Sequence, residues 1–286
     1  MTTPAGPSLK ARAEAFSSLH QRKGIFVVPN PWDAGSARVL ELLGFKALAT
    51  TSAGLAWSLG KPDGYASVTR AETLQNAQSI IAATSLPVSA DLENGYGDDP
   101  AICSETILLA AKAGLSGGSI EDATGRAGDP IYPFEQAVAR VKAAVAAARS
   151  LPHPFTLTAR AENLIHGIPD LTDTVRRLEA FADAGADVLY APGLRTREEI
   201  ETIVKAVAPR PVNVVMGFSG NSFSLNELED WGVKRVSLGS SLARAAYGAF
   251  FRAVEEILQT GTFTYSNEEK PYTDINKLFN TNGPTP

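Results

Sequence analysis

The stretch Ser89-Ala90-Asp91-Leu92-Glu93-Asn94-Gly95-Tyr96-Gly97 decides the fold, together with two later segments of the same pattern. These are Ser119-Ile120-Glu121-Asp122 and Thr158-Ala159-Arg160-Ala161-Glu162. Each follows an apolar run that is typical of a strand. Because residues i and i+2 of a strand point to the same side, the polar side chains of each segment are predicted to share a face: Asp91 with Glu93, Ser119 with Glu121, and Thr158 with Arg160 and Glu162. This convergence indicates a site for a divalent cation and a small anionic substrate.

Composition indicates an ordinary globular chain. Its 286 residues are 44% hydrophobic and 20% charged, which is enough for one large core or a single α/β barrel. The net charge of -5 and the pI near 5.4 argue against nucleic acid as a partner. An apolar run of about 18 residues is absent, so no membrane span is predicted. Residues 1–24 lack the apolar core of a secretory signal, and the single Cys103 fits a reducing compartment. We therefore predict a cytoplasmic protein.

The chain repeats a strand followed by a helix. Predicted strands are residues 26–29, 47–50, 88–93, 117–121, 155–160, 188–191, 212–217 and 236–239. Predicted helices, with apolar residues three and four apart, are residues 34–43, 70–84, 101–113, 134–149, 172–184, 197–207, 224–231 and 242–259. Several helices end before a glycine suited to a left-handed cap: Gly44, Gly114, Gly185 and Gly232.

Eight strand–helix units predict a parallel sheet that closes as a single (β/α)₈ TIM-type barrel. A doubly wound open sheet is the competitor, but no Gly-x-Gly-x-x-Gly follows the first strand. The predicted organisation is one domain: an N-terminal helical extension at 1–24, barrel elements at 25–240, and a C-terminal helix and tail at 241–286.

In this fold, active sites lie at the carboxyl ends of the strands, which is where the charged clusters fall. A single acid there could equally cap a helix or pair with an arginine. Several inward-facing carboxylates repel each other unless a cation neutralises them. Oxygen ligands with no His or Cys nearby favour Mg²⁺ or Mn²⁺ over Zn²⁺.

Other patterns narrow the chemistry. No strand ends in a lysine, which disfavours a Schiff-base mechanism, and the three histidines form no His-x-His pair. Cys103 lies on an apolar helix face and is predicted to be core. The turns at 217–221 and 238–241 follow the last two strands, where barrels commonly hold phosphate; alone they are weak indicators.

Asp-x-Glu-x-Gly-Tyr-Gly from Asp91, then Ile-Glu-Asp, then Ala-Arg-x-Glu resembles the isocitrate lyase/phosphoenolpyruvate mutase superfamily. The segments Val-Pro-Asn-Pro-Trp-Asp-Ala-Gly-Ser-Ala-Arg at 28–38, Thr-Ser-Ala-Gly at 51–54 and Leu-Gly-Lys-Pro-Asp-Gly at 59–64 also resemble it. The similarity runs from about residue 25 to residue 248. It implies a Mg²⁺-dependent barrel that acts on 2-oxo or 2-hydroxy acids through a pyruvate-like enolate.

The resemblance also implies roles for particular residues. Asp91 is the expected direct metal ligand, with Asp63, Glu93 and Glu121 reaching the ion mainly through water. Arg160 is expected to clamp the substrate carboxylate, which its planar guanidinium suits. The resemblance further assigns substrate contacts to Ser52, Ala53, Gly54 and Asn213. It also implies a homodimer or homotetramer in which the last helix is exchanged between subunits.

The lid after the fourth strand, residues 123–132, departs from the family pattern. It lacks the cysteine that handles a proton in the family's lyases, and it lacks the lysine and asparagine of the phosphonopyruvate enzymes. We therefore expect an oxaloacetate decarboxylase-like lyase in which the metal drives C–C cleavage. The alternatives are a P–C bond mutase or hydrolase of phosphonopyruvate and a non-catalytic keto-acid binder. The enolate is expected to be quenched by solvent or a simple acid, with Tyr132 and His166 as the first candidates for a dedicated donor.

Overall fold

The computed structural model describes residues 6–64, 67–218 and 223–280. Its strands are β1 Phe26–Val28, β2 Leu48–Ala49, β3 Val88–Asp91, β4 Gly117–Glu121, β5 Ala123–Arg126, β6 Asp129–Ile131, β7 Thr156–Arg160, β8 Val188–Tyr190, β9 Val212–Val215 and β10 Arg235–Ser237. Its helices are α1 Leu9–Gln21, α2 Ala34–Leu42, α3 Ser52–Ser58, α4 Arg70–Ala83, α5 Pro100–Lys112, α6 Phe134–Arg149, α7 Leu171–Asp183, α8 Arg197–Val207, α9 Leu225–Asp230, α10 Ser241–Thr260 and α11 Tyr272–Asn280. A 3₁₀ turn spans Thr264–Glu268.

Eight strands form one parallel sheet in the order β1-β10-β9-β8-β7-β4-β3-β2. The two end strands approach each other, and the N–H of Ala49 donates to the carbonyl of Pro29 at 3.0 Å. The sheet is therefore a nearly closed barrel, and the predicted (β/α)₈ fold is confirmed. The strands β5 and β6 form a separate antiparallel hairpin inside the lid, which the sequence pattern does not predict.

Local sequence explains where the helices begin and end. Reciprocal capping boxes start four helices, with the N-caps Asp33, Thr69, Thr196 and Ser224. The four glycines predicted as helix ends all adopt positive φ, between 87° at Gly232 and 102° at Gly185. The helices pack against the strands of the barrel, as α5 does against β4 and α7 does against β7 and β8.

The outward side chains of the strands pack against the helices and form the two large apolar clusters of the core. The N-terminal helix α1 instead covers the amino ends of the strands. The ring of Phe16 meets His20 edge-on at 4.9 Å, and His20 meets Phe26 of β1 at 5.0 Å. Because α1 closes this end of the barrel, the opposite end is left to hold ligands.

The helix α10 is amphipathic, yet little of its apolar face is covered. Ala243 is its one buried residue, whereas Phe250, Phe251 and Leu258 are 61%, 59% and 79% exposed. A helix long and apolar enough to cross a membrane is not found within the described residues.

Candidate active site

A cavity of about 670 Å³ opens at the carboxyl ends of the strands. Asp63, Asp91, Arg160, Tyr190 and Asn213 contribute to its wall. The register of the sheet places Arg160 beside Tyr190 and Tyr190 beside Asn213 on adjacent strands. Side chains that are far apart in sequence therefore meet in one depression.

Arg160 is the centre of the charged cluster. Its Nη1 lies 3.0 Å from Asp91 Oδ1, its Nη2 lies 3.1 Å from Glu121 Oε2, and its Nε lies 2.8 Å from Glu162 Oε1. The Glu162 side chain is 1% exposed, and the other three are between 14% and 18% exposed. Burial alone would lower the pKa of Arg160, but the charges of Glu162, Glu121 and Asp91 raise it well above its usual value. Arg160 therefore stays protonated.

The carboxylates of the cluster outnumber their cation. Burial and then the charges of Asp91 and Asp63 raise the pKa of Glu93 to about 8. Burial and then Asp91 also raise the pKa of Asp63, although the Ser52 side chain and the Gly64 backbone donate hydrogen bonds to it. Burial raises the pKa of Glu121 as well. These raised pKa values mean that further ionisation of the acids is opposed, because one arginine does not offset their burial and mutual repulsion.

Glu93 does not lie where strand alternation places it. The strand β3 ends at Asp91, and Glu93 takes a left-handed conformation with φ of 48°. Its backbone N–H donates to Asp91 Oδ1 at 3.3 Å, and its side chain lines a neighbouring groove beside Tyr96 and Arg70. The prediction that Asp91 and Glu93 share a strand face is therefore wrong, because the chain turns one residue after the strand.

The four predicted metal-binding acids are neighbours, but their oxygens are not grouped around one point. Asp91 and Glu121 both direct an oxygen to Arg160. In the part of the chain that the structure describes, no three carboxylate, imidazole or thiolate side chains lie close enough to hold an ion in this arrangement.

The helix α3 begins at the cavity wall with Ser52 and Ala53. The first N–H groups of a helix have no intrahelical acceptor, so this turn can bind an oxygen that carries negative charge. Gly54 differs from its neighbours, because its N–H donates to Thr51 Oγ1 at 3.3 Å. Gly54 is buried, and a Cβ built on it would lie 2.9 Å from the Cβ of Trp32. Its lack of a side chain permits this close packing.

Asn213 lies in the cavity wall and is fully buried. Its Nδ2 donates to Ser237 Oγ at 2.9 Å, and its Oδ1 accepts from Arg235 Nε at 2.8 Å. Arg235 also donates from Nη2 to Thr158 Oγ1 at 3.0 Å. The asparagine therefore belongs to a polar network inside the barrel as well as to the cavity.

The turns in the usual phosphate position differ from a phosphate cradle where they can be described. The N–H groups of Leu238 and Gly239 both donate to Asn30 Oδ1, at 2.8 and 3.0 Å. Asn30 thereby ties β10 to the first strand and uses donors that a phosphate would need. In the other turn, residues 219–221 lie outside the described residues.

The lid hairpin is latched to the loop after β3. Arg126 Nη1 contacts both carboxylate oxygens of Asp98, at 3.1 and 3.0 Å. Tyr132 donates its hydroxyl to Asp98 Oδ1 at 2.6 Å and is fully buried at the base of the hairpin. His166 is exposed. Neither of these two candidate proton donors lines the cavity.

Comparison with known proteins adds independent findings. The family model described as phosphoenolpyruvate phosphomutase matches residues 16–258. The oxaloacetate decarboxylase of Bradyrhizobium diazoefficiens is 31% identical over 206 residues, which cover 70% of this chain and 69% of that protein. A crystal structure from Burkholderia cenocepacia J2315, provisionally described as a lyase/mutase, is 56% identical with a TM-score of 0.93, covering 96% and 97% of the two chains. Oxaloacetate acetylhydrolase in complex with the product oxalate is 26% identical with a TM-score of 0.84, covering 96% and 95%.

The chain belongs to the isocitrate lyase/phosphoenolpyruvate mutase superfamily. The resemblance predicted from the strand-end motifs is confirmed, and so is the prediction of an enzyme of the lyase type.

Several residues of this superfamily member are missed by sequence reasoning. Asp122 accepts from Arg177 Nη1 at 2.9 Å and from the Glu162 N–H at 2.8 Å, so it holds the Arg160 segment from behind. Its position after Glu121 is a usable signal. Tyr190 and Arg235 also lie in the cavity wall. Tyr190 resembles an ordinary apolar strand residue, and Arg235 follows Lys234 as an ordinary surface charge would.

Proposed function

We propose that this chain is a Mg²⁺- or Mn²⁺-dependent lyase that cleaves a C–C bond of a small 2-oxo or 2-hydroxy dicarboxylate, in the manner of an oxaloacetate decarboxylase. The observation that supports it best is the arginine-centred cluster of carboxylates at the wall of the cavity. A metal-assisted site for an anionic substrate needs acids for the ion and an arginine for the substrate carboxylate. Both are present within hydrogen-bond distance of each other.

The donor set fits a hard divalent cation. Its candidate ligands are carboxylates alone, which favour Mg²⁺ or Mn²⁺. The mutual repulsion that raises the pKa of Glu93 and Asp63 is the repulsion that a dication relieves. We assign Asp91 as the direct ligand, and Asp63, Glu93 and Glu121 as acids that contact the ion through water. The chemistry that such an ion supplies is polarisation of a 2-oxo group and stabilisation of negative charge on its oxygen.

The remaining steps fall to the protein's own side chains. Arg160 has N–H donors on Nη1 and Nη2 beyond the three that hold Asp91, Glu121 and Glu162, and these can bind a substrate carboxylate. Glu121 and Glu162 fix the guanidinium so that its plane is set before substrate arrives. The first turn of α3, at Ser52 and Ala53, supplies N–H groups to the oxygen on which charge develops. Closure of the lid hairpin excludes water from the cavity.

The test is turnover of a panel of 2-oxo and 2-hydroxy dicarboxylates by the purified protein with Mg²⁺, followed by detection of the 2-oxo acid product. Release of pyruvate from oxaloacetate, abolished by EDTA and restored by Mg²⁺ or Mn²⁺, is the expected outcome. Oxalate should inhibit, because it resembles the planar enolate in charge and shape. Oxalate binding without turnover of any member of the panel would instead support the non-catalytic keto-acid binder.

A P–C bond enzyme is the second candidate, favoured by the phosphoenolpyruvate phosphomutase description of the matching family model. Two observations weigh against it. Asn30 already uses the N–H groups of Leu238 and Gly239, and the lid lacks the lysine and asparagine expected of phosphonopyruvate enzymes. Inorganic phosphate released from phosphonopyruvate, or its conversion to phosphoenolpyruvate, would favour this candidate over the C–C lyase.

We also propose that the active protein is a cytoplasmic homodimer or homotetramer in which α10 is exchanged between subunits. Support comes from the apolar side chains that α10 leaves exposed, Phe250, Phe251 and Leu258. A second copy of the chain is the simplest partner for such a face.

A further inference from the structure

Tyr190 is the last residue of β8 and places its phenol in the cavity wall. Its neighbours in register are Arg160 on β7 and Asn213 on β9. The Arg160 guanidinium carbon lies 5.2 Å from the centroid of the Tyr190 ring. The phenol therefore stands beside the group that is proposed to anchor the substrate carboxylate.

A chain of two hydrogen bonds leads from Arg235 through Asn213 to Ser237, beside this phenol, and its direction is fixed at the arginine. Arg235 can only donate, so its contact with Asn213 at 2.8 Å makes Oδ1 the acceptor. This orients the amide and turns Nδ2 toward Ser237 Oγ, 2.9 Å away. An amide nitrogen also only donates, so the serine oxygen accepts there. The proton of the Ser237 hydroxyl is then free to point toward the neighbouring Tyr190 hydroxyl, and Ser237 lowers the pKa of Tyr190 as a hydrogen-bond donor does.

The consequence concerns the proton of Tyr190. When Ser237 donates to the phenol oxygen, the tyrosine keeps its own proton for another acceptor, and the cavity lies beside it. Among the described residues that line the cavity, the other hydroxyls are the aliphatic ones of Ser and Thr, and a phenol with an ordinary pKa of about 10 is the strongest acid of this set. Burial raises the pKa of Tyr190, and the nearby charge of Arg160 opposes that rise.

We propose that Tyr190 delivers the proton that converts the enolate into the keto product, with Ser237 and Asn213 as positioning residues. The inference rests on the proposed C–C lyase function. The enolate C=C electron pair forms the new C–H bond, the Tyr190 O–H bond breaks, and the enolate oxygen returns to a carbonyl. Water that enters as product leaves returns a proton to the phenolate, so a decarboxylation consumes one solvent proton per turnover. In this mechanism Tyr190 supplies the proton, so a cysteine in the lid is not needed.

The test compares the parent protein and Tyr190→Phe, both with Mg²⁺. Proton nuclear magnetic resonance in D₂O follows exchange of the pyruvate methyl protons, which is the same proton transfer run backwards. The exchange rate of Tyr190→Phe is expected to fall about a hundredfold or more, the usual contribution of a positioned acid–base group. During cleavage of oxaloacetate, the variant should release enolpyruvate, seen as a lag between substrate loss and pyruvate detected by lactate dehydrogenase. Oxalate affinity should match the parent.

Three further variants separate chemistry from structure. Tyr96→Phe removes another largely buried phenol hydroxyl, bonded to Thr73 Oγ1 at 2.7 Å outside the cavity, and should show no lag. Ser237→Ala keeps the phenol but removes its positioning donor, so it should give a shorter lag, which Ser237→Thr should remove. If Tyr190→Phe does not fold, the pair of Ser237 variants still tests the proposal.

The outcomes distinguish this proposal from the proposed function. Parent-like exchange and no lag in Tyr190→Phe would overturn the role of Tyr190 and leave the lyase intact. No lag in Ser237→Ala would overturn the positioning chain. Methyl exchange by the parent that Tyr190→Phe loses, without cleavage of any dicarboxylate in the panel, would support Tyr190 and overturn the lyase assignment. A parent protein that neither exchanges nor cleaves would overturn both.

Discussion

Replacing Arg160 by glutamine tests how the charged cluster is held together. The substitution leaves the carboxylates of Asp91, Glu121 and Glu162 without the cation that lies 2.8 to 3.1 Å from them. Removal of one partner from a buried ion pair costs about 3–5 kcal/mol. We expect a loss of that size in the free energy of unfolding near pH 7, measured in urea with EDTA present. Arg160→Lys keeps the charge but loses part of the planar donor set of the guanidinium. Each charged hydrogen bond that is lost should lower the free energy of unfolding by about 1.5–3 kcal/mol. The same variant should weaken oxalate binding about tenfold or more.

The pH dependence of this loss has a definite sign. Burial raises the pKa of Glu121 and Glu162 even with Arg160 present, and loss of the arginine removes the charge that opposes the rise. A carboxyl whose folded pKa is raised stabilises the fold at low pH, and that stability is lost as pH rises through the folded pKa. The penalty of Arg160→Gln should therefore shrink near pH 5 and shrink again when Mg²⁺ is added near pH 7. A loss below about 1 kcal/mol, or one that grows on acidification, would refute the reasoning. Arg197→Gln, on an exposed pair with Glu201, is the matched control.

Three further predictions concern the metal, the lid and the assembly. Asp91→Ala should abolish Mn²⁺ binding, measured by calorimetric titration, and should also abolish turnover. The control Asp230→Ala changes an exposed acid and should keep both. Parent-like Mn²⁺ binding by Asp91→Ala would show that the metal site is misplaced. Arg126→Ala breaks the half-exposed ion pair between the lid hairpin and Asp98. The free energy of unfolding should change by less than about 1 kcal/mol, whereas KM should rise severalfold. An unchanged KM would show that the hairpin takes no part in catalysis. Replacing Phe250 and Phe251 together by serine should reduce the mass measured by light scattering to that of one chain, and an unchanged mass would exclude α10 from the interface.

Most of the barrel could be predicted because its signals are local. Helix periodicity marks the strand–helix units, glycines with positive φ end four of the helices, and Asp91, Glu121 and Arg160 stand at the ends of strands. Glu93 could not be placed, because alternation assumes that the strand continues and the chain turns after Asp91. The hairpin β5–β6 was missed because its short strands carry few apolar residues.

Tyr190 and Arg235 show a different limit of sequence reasoning. Their roles depend on which strands are neighbours and on the stagger between them, and neither property is written in a local pattern. Arg235 is 6% exposed and reaches across the barrel to Thr158 on β7. A contact of that kind exists only after the barrel has closed.

The buried guanidinium of Arg235 raises the question of how the barrel tolerates it. Among the described residues, the hydrogen-bond partners of Arg235 are neutral: the amide of Asn213, the hydroxyl of Thr158, and the ring of His20 from α1. Burial and then the charge of Arg235 lower the pKa of His20 to about 3, so the imidazole stays neutral and can accept a hydrogen bond. A buried cation with several hydrogen bonds but no carboxylate beside it is costly, and burial correspondingly lowers the pKa of Arg235 to about 10.

This cost has a compensating use in the proposed mechanism. An asparagine or serine at one end of a hydrogen-bond chain can donate or accept, so the chain could run in either direction. A guanidinium can only donate, so both hydrogen bonds of the chain run from Arg235 toward Ser237, which lies beside Tyr190. The helix α1 closes the amino end of the barrel over this arrangement and keeps water from competing for the same acceptors. The polar network inside the barrel and the N-terminal helix therefore act together, and they orient a single hydroxyl proton at the cavity wall.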